Sequence, residues 1–340
     1  MKVLYLGNFL NNVKGRYDGP NVQVVKVLQS HGHKVKWAGT SGSQLHRLAQ
    51  FILAILKAKL GKTELIIIDV FSTRAFYFAT ISGSLARLFK INYALVLHGG
   101  NLPVRFRSSH NLSQKLLRKA SLVFSPSNYL ATAAKSAFEV DVKVIPNRIE
   151  VRLNREEVKR ENQLFWVRSL SSIYNPEMAI EVLKYITEAG LDFKLIFIGP
   201  GDSERIIKVK RLIKKYNLDN KVEIKGRMAR EDWHNLARNG KYFLNTTYVD
   251  NTPSSVIEAM ALGLVPISTN VGGLPFILDN KEDSILVEPN HASEMASYIV
   301  ALEKDQAELV RLRENGRQKF LETYADKKIS EEWRKALTNI

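Results

Sequence analysis

Continuous apolar runs alternate with helical periodicity along almost the whole chain, and the alternation occurs twice. Residues 3–7, 34–38, 65–70, 93–97, 122–125 and 142–145 read as strands, and helical spacing falls between them at 21–31, 45–60, 75–89, 113–119 and 129–137. A strand that is apolar throughout must be covered on both faces. Such strands joined by helices therefore imply a parallel sheet between two helical layers. After a charged stretch at 150–162 with no Pro, no Gly and no apolar periodicity, a second set begins. It runs through strands 164–167, 194–199, 222–225, 242–246 and 265–269, with helices at 176–189, 203–216, 230–239, 292–304 and 306–324. At 340 residues the chain has room for two domains. The expectation is α/β: a Rossmann-like domain over 1–152, a second over 160–322, and a last helical segment over 323–340. Ligands of such sheets bind beyond the carboxyl ends of the strands.

One segment concentrates chemistry at such an end: Asp250-Asn-Thr-Pro-Ser-Ser-Val-Ile-Glu258-Ala-Met-Ala-Leu-Gly263. It sets two carboxylates eight positions apart, one in a loop and one inside a short helix that Gly263 ends. The start of that helix offers unpaired N–H groups and the positive end of a dipole, which suits a phosphate. Ser255-x-x-Glu258 also fits a capping box, with Glu258 reaching back over the helix start.

The same segment, with Gly263-Leu-Val-Pro266 and Val271-Gly-Gly273, resembles the C-terminal half of the retaining GT-B glycosyltransferases of family 4, the glycosyl transferases group 1. The first acid of that pattern is usually Glu and is Asp250 here. The resemblance implies a GT-B architecture, two Rossmann-like domains facing a cleft, with the last helix crossing back to the first domain. It implies a hexosyl- or N-acetylhexosaminyl-type transferase that moves a sugar from a nucleotide-diphosphate donor such as a UDP-sugar to a hydroxyl acceptor, with retention of configuration. Glu258 would then hold the ribose, so that replacing it with Ala lowers turnover while the fold stays cooperative. Asp250 and His98 would attend the sugar, and Arg168, at the end of Phe165-Trp-Val-Arg, would clamp the diphosphate with its planar fork. The family's Lys about five residues after that Arg is missing, and its Gly-Phe-Gly is replaced by Asn251-Thr-Pro253. Thr252, Ser254 and Ser255 become the substitute donors. Gly199 and Gly226-Arg227 would border the base. The loop from Gly15 through Gly19 to Pro20 would approach the diphosphate or sugar. Ser127 and Asn147 match family positions near the cleft but read as structural.

Several classes are disfavoured. No Gly-x-Gly-x-x-Gly, Walker loop or Asp-x-Asp occurs, the seven His are not at ligand spacing, and there is no cysteine. No cofactor and no metal are expected, and Arg168 with a helix terminus would carry the electrostatics. No apolar run reaches the length of a membrane span, and the apolar start of the chain is too short for a signal peptide. The expected location is the cytoplasm, peripheral at the inner face of the membrane.

Charge is uneven. Residues 1–150 hold 21 Lys/Arg against 6 Asp/Glu, while the remainder holds 29 against 28. A basic N-terminal half attracts anions, so a lipid-linked or cell-envelope glycan acceptor and contact with an anionic membrane are expected partners. The helix at 44–62 reads as a covering helix of the first sheet whose basic end can touch lipid. Nucleic acid is not expected, because no helix-turn-helix or aromatic-basic motif accompanies the charge. The remaining alternative is a non-catalytic sugar-nucleotide or polyanion binder.

Overall fold

The computed structural model describes residues 1–9, 19–152 and 159–337. Gly15, Asp18 and part of the 150–162 linker lie outside them. The chain divides into two compact units, Met1–Arg148 with Asp326–Ile340, and Ile149–Ala325.

The first unit runs β1 (Lys2–Leu6), α1 (Pro20–Ser30), β2 (Lys34–Ala38), α2 (Gln44–Leu60), β3 (Leu65–Val70), α3 (Ala75–Leu88), β4 (Asn92–Leu97), α4 (Leu102–Ser108), α5 (His110–Leu117), β5 (Leu122–Ser125), α6 (Asn128–Phe138) and β6 (Lys143–Val144). Its strands form one sheet in the order β2-β1-β3-β4-β5-β6, every pairing parallel. All six residues of β3 are buried. The pleat sends Ile66, Ile68 and Val70 into the core under α2 and α3, and Leu65 and Ile67 into the core under α1.

The second unit runs β7 (Gln163–Val167), α7 (Pro176–Glu188), β8 (Lys194–Ile198), α8 (Ser203–Lys215), β9 (Val222–Ile224), α9 (Arg230–Ala237), β10 (Tyr242–Asn245), α10 (Ser254–Leu262), β11 (Val265–Thr269), β12 (Ile285–Val287), α11 (Ala292–Lys304) and α12 (Gln306–Thr323). The sheet order is β12-β11-β10-β7-β8-β9, again all parallel. Leu164 and Trp166 of β7 enter one core and Phe165 the other.

The last helix, α13 (Asp326–Leu337), packs within the first unit. Ile329, Trp333, Ala336 and Leu337 recur at helical spacing and are buried with Val24, Leu28, Phe124 and Ile145. Arg148 Nε meets Asp326 Oδ1 at 2.5 Å at the root of the helix.

Two elements differ from the sequence expectation. The helix expected at 113–119 is preceded by another, α4, which Pro103 opens by presetting φ in the first turn. Strand β12 is three residues long, too short to show a period. Among the described residues no helix is long and apolar enough to cross a membrane.

Candidate functional site

In the second unit the carboxyl edge of the sheet gathers the residues singled out from the sequence. Arg168 follows β7, Gly199 follows β8, Gly226 and Arg227 follow β9, and Asp250 to Ser255 join β10 to the first turn of α10. Close backbone packing shapes this edge. Gly199 adopts a φ of 145°, and a Cβ there would stand 1.8 Å from the Arg168 carbonyl oxygen. Only glycine fits such a conformation and such an approach. Its N–H donates to the Gly226 carbonyl at 2.8 Å. Arg227 is exposed and Gly226, at a φ of 68°, faces open space. The Gly272-Gly273 turn packs on the acidic loop in the same way. A Cβ on Gly272 would meet the Asp250 carbonyl oxygen at 2.1 Å, and one on Gly273 the Asn251 oxygen at 1.9 Å.

Arg168 and Asp250 come together as an ion pair, Nη2 donating to Oδ2. Oδ1 of Asp250 accepts from the Asn251 N–H at 2.9 Å, and the Arg168 guanidinium carbon lies 4.9 Å from the Tyr174 ring centroid. Three polar atoms on this edge have no partner among the described residues: Nε of Arg168, Oγ1 of Thr252 and Oγ of Ser255, all buried. Each such orphan costs about 1–3 kcal/mol, and folded proteins keep few of them. Beside them, α10 begins after Pro253 with no side-chain cap and no acid in its own first turn to compensate its dipole. Ser254 is the first residue of that helix. Among the described residues no cluster of His, Asp or Glu is grouped to hold a metal ion.

The capping-box reading of Ser255 and Glu258 is corrected by the structure. Glu258 is 3% exposed and turns away from the helix start towards α9. Its Oε1 accepts from Arg230 Nη2 at 2.8 Å and its Oε2 lies 3.0 Å from His234 Nε2. The reason is burial: α10 is covered on every side from Val256 to Leu262, and a carboxylate there needs cationic or N–H donors from a neighbouring element. Arg230 and His234 escaped the sequence reading. Their i, i+4 spacing on one helical face was the available signal.

In the first unit, His98 follows β4 and is buried on a polar chain drawn from three adjacent strands. Its Nε2 lies 3.0 Å from Asp69 Oδ1, which also accepts from the Tyr5 hydroxyl at 2.8 Å. Burial, with the charge of Asp69 and the bond to it, pushes the Tyr5 hydroxyl well above its usual pKa, so Tyr5 stays a donor. In the neutral tautomer that donates Nε2–H to Asp69, Nδ1 keeps its lone pair to offer. Phe71 stacks on the imidazole at 5.2 Å. Gly7 makes room for the carboxylate, since a Cβ there would meet Asp69 Oδ2 at 2.3 Å. Asp69 was also missed, although an acid inside an apolar strand is itself a signal. Gly19 precedes α1 as its N-cap. Ser127 caps α6 by accepting from the Leu130 N–H at 3.4 Å, the structural role expected of it.

Two doubly wound units with parallel six-stranded sheets define the GT-B fold. HepE of Anabaena, solved in complex with UDP and glucose, aligns over 100% of both chains with a TM-score of 0.76 and 17% identity. At that identity the likeness carries the fold. A family model described as glycosyl transferases group 1 matches residues 147–319, half of the chain, and the chain belongs to that family. TuaC of Bacillus subtilis, named as a teichuronic acid biosynthesis glycosyltransferase, is 24% identical over 249 residues, which is 68% of this chain and 61% of TuaC. WcaL of Salmonella typhimurium, named for colanic acid biosynthesis, is 25% identical over 246 residues, 67% of this chain and 60% of WcaL. The matched stretch thus spans about six tenths of the length of these curated relatives.

Proposed function

We propose that this chain is a glycosyltransferase that binds the diphosphate of a nucleotide-sugar donor on the carboxyl edge of its second unit. The observation that supports it is the set of three buried atoms without partners, on Arg168, Thr252 and Ser255, beside the uncapped start of α10. Phosphate oxygens accept from a guanidinium, from hydroxyls and from helix N–H groups, so one ligand would satisfy all of them without a metal. Glu258 would take ribose hydroxyls, since two bonds leave its carboxylate with spare lone pairs. Asp250 would attend the transferred sugar. In the first unit, His98 would offer Nδ1 to a hydroxyl of the substrate.

The reaction we infer is a retaining one. The bond between the anomeric carbon and its phosphate oxygen breaks, the acceptor oxygen bonds to that carbon on the same face, and its proton passes to the departing phosphate. Relatives named for envelope polysaccharides and a neighbour holding UDP favour a UDP-sugar donor and a cell-envelope or lipid-linked glycan acceptor. Thermal shift and titration with UDP and UDP-glucose test the reading, because a ligand of the native state stabilises by mass action. The Thr252→Val/Ser255→Ala variant is expected to bind UDP at least about tenfold more weakly while its unliganded melting point does not fall, since two unsatisfied hydroxyls are removed. Unchanged affinity in that variant would remove the edge as the donor site. The Arg168–Asp250 pair engages both groups with each other and favours one rival, a binder without turnover. Release of UDP from UDP-sugar by the purified chain decides against that rival.

A further inference from the structure

Helix α2 carries two apolar stripes. Phe51, Ile55 and Ala58 point into the core of the first unit. Leu45, Leu53, Leu56 and Leu60 recur on the opposite face and are 81%, 56%, 43% and 86% exposed. Helix α3 covers the same face of the sheet and repeats the arrangement. Phe76, Ala79 and Ala86 are buried, while Tyr77, Ile81 and Leu88 are 43%, 38% and 71% exposed. Each helix joins one parallel strand to the next, so the two run in the same direction and their last turns lie at the same edge of the sheet. Lys59 Nζ donates to the Phe89 carbonyl at 3.1 Å and ties those ends together. The outward stripes therefore form a single apolar face. Such a face on a surface helix marks a place that something covers.

Charge selects what covers it. Neither helix contains an acidic residue, and their shared end carries Lys57, Lys59, Lys62, Arg87 and Lys90. Residues 1–138 hold only three acids, Asp18, Glu64 and Asp69. Asp69 is buried with Tyr5 and His98, and Glu64 accepts from the Lys2 N–H at 2.5 Å. Asp18 lies outside the described residues. A second copy docked through this face would set cation against cation, and like charges across a contact are costly. An anionic bilayer supplies the opposite charge and accepts the leucines at the acyl boundary.

We propose that the α2–α3 face of the first unit is a docking surface for an anionic phospholipid bilayer. The outward leucines enter the interface, and the lysines at the helix ends meet lipid phosphates. This stands independently of the transferase reading.

The test is sedimentation of the full chain with vesicles of phosphatidylcholine, with and without phosphatidylglycerol. The wild type is expected to pellet with the anionic vesicles and to be released by salt, since exposed charges are screened. Leu53→Asn/Leu56→Asn/Leu60→Asn and Lys57→Glu/Lys62→Glu are each expected to lower partitioning by about tenfold or more, as each basic group contributes roughly fivefold. Both sets of changes lie on exposed side chains. If the leucine variant loses its melting transition, the charge variant reads the same contrast. Equal binding to neutral vesicles, or variants that partition like the wild type, would overturn the proposal. So would a dimer in sedimentation velocity that the leucine variant dissolves, because it would assign the face to a second copy.

Discussion

Glu258 is held by two donors from one helix, and this changes what its removal does. The pattern Asp250 to Gly263 pointed to an acid that serves a ligand, with the fold staying cooperative on its loss. The structure adds a buried ion pair with Arg230 and a bond with His234. Removing one partner of such a pair leaves the other charge buried and unpaired, at a cost of about 3–5 kcal/mol. Glu258→Ala is therefore expected to lower stability by that order in chemical denaturation. The Glu258→Ala/Arg230→Ala double variant is expected to fall well short of the sum of the single losses. Simple additivity would show that the two side chains are not coupled. The two acids themselves could be read from spacing. Their partners could not, because Arg230 and His234 meet Glu258 only after α9 and α10 pack together.

At the scale of elements, periodicity was enough where the segment was long and the burial one-sided or complete. It placed α2, α11 and the buried β3 to within a residue or two. It failed where an element was three residues long, as in β12, or was short and carried a proline in its first turn, as in α4. Turn geometry was equally hidden: nothing in Gly199 or Gly272-Gly273 tells which backbone will press against them. Helix α7 shows how one terminus can be tested. Glu177 lies in its first turn, paired with Arg205 and, at 3.3 Å, with Lys208 of α8. Burial pushes its carboxyl up, but a backbone hydrogen bond at the helix start and the bonds from Arg205 and Lys208 outweigh this and hold it below the usual value. A folded pKa below the unfolded one gives stability that is full above the ordinary carboxylate range and is lost as pH falls through the lowered value. Melting followed from about neutral pH to about pH 3 should show this acid limb weakened in Glu177→Gln. An identical pH profile in the variant would mean the pairing does not favour the folded state.

At the scale of the molecule, two alternating sets of strands and helices implied two units, and the charge imbalance implied that the first would meet anions. What composition could not reveal is that the first unit's core is completed by the last helix of the chain. The resemblance implied a last helix crossing back to the first domain, and in α13 the residues Ile329, Trp333, Ala336 and Leu337 lie at helical spacing and are buried, a pattern that does not by itself tell which face they meet. The partner is the α1 side of the first sheet, where the Trp333 ring lies 4.8 Å from that of Phe124. Deleting a buried aromatic costs about 3–5 kcal/mol through lost transfer energy and the cavity left behind. Trp333→Ala is thus expected to lower the stability of the first unit by that order, read as a lower unfolding midpoint in denaturant. The proposed donor site is built wholly from residues of the second unit, so the UDP affinity of the folded variant should match the wild type. The two measurements separate the roles: a midpoint that does not move would show that α13 contributes little to the first core, whereas a weakened UDP affinity in folded protein would tie this helix to donor binding.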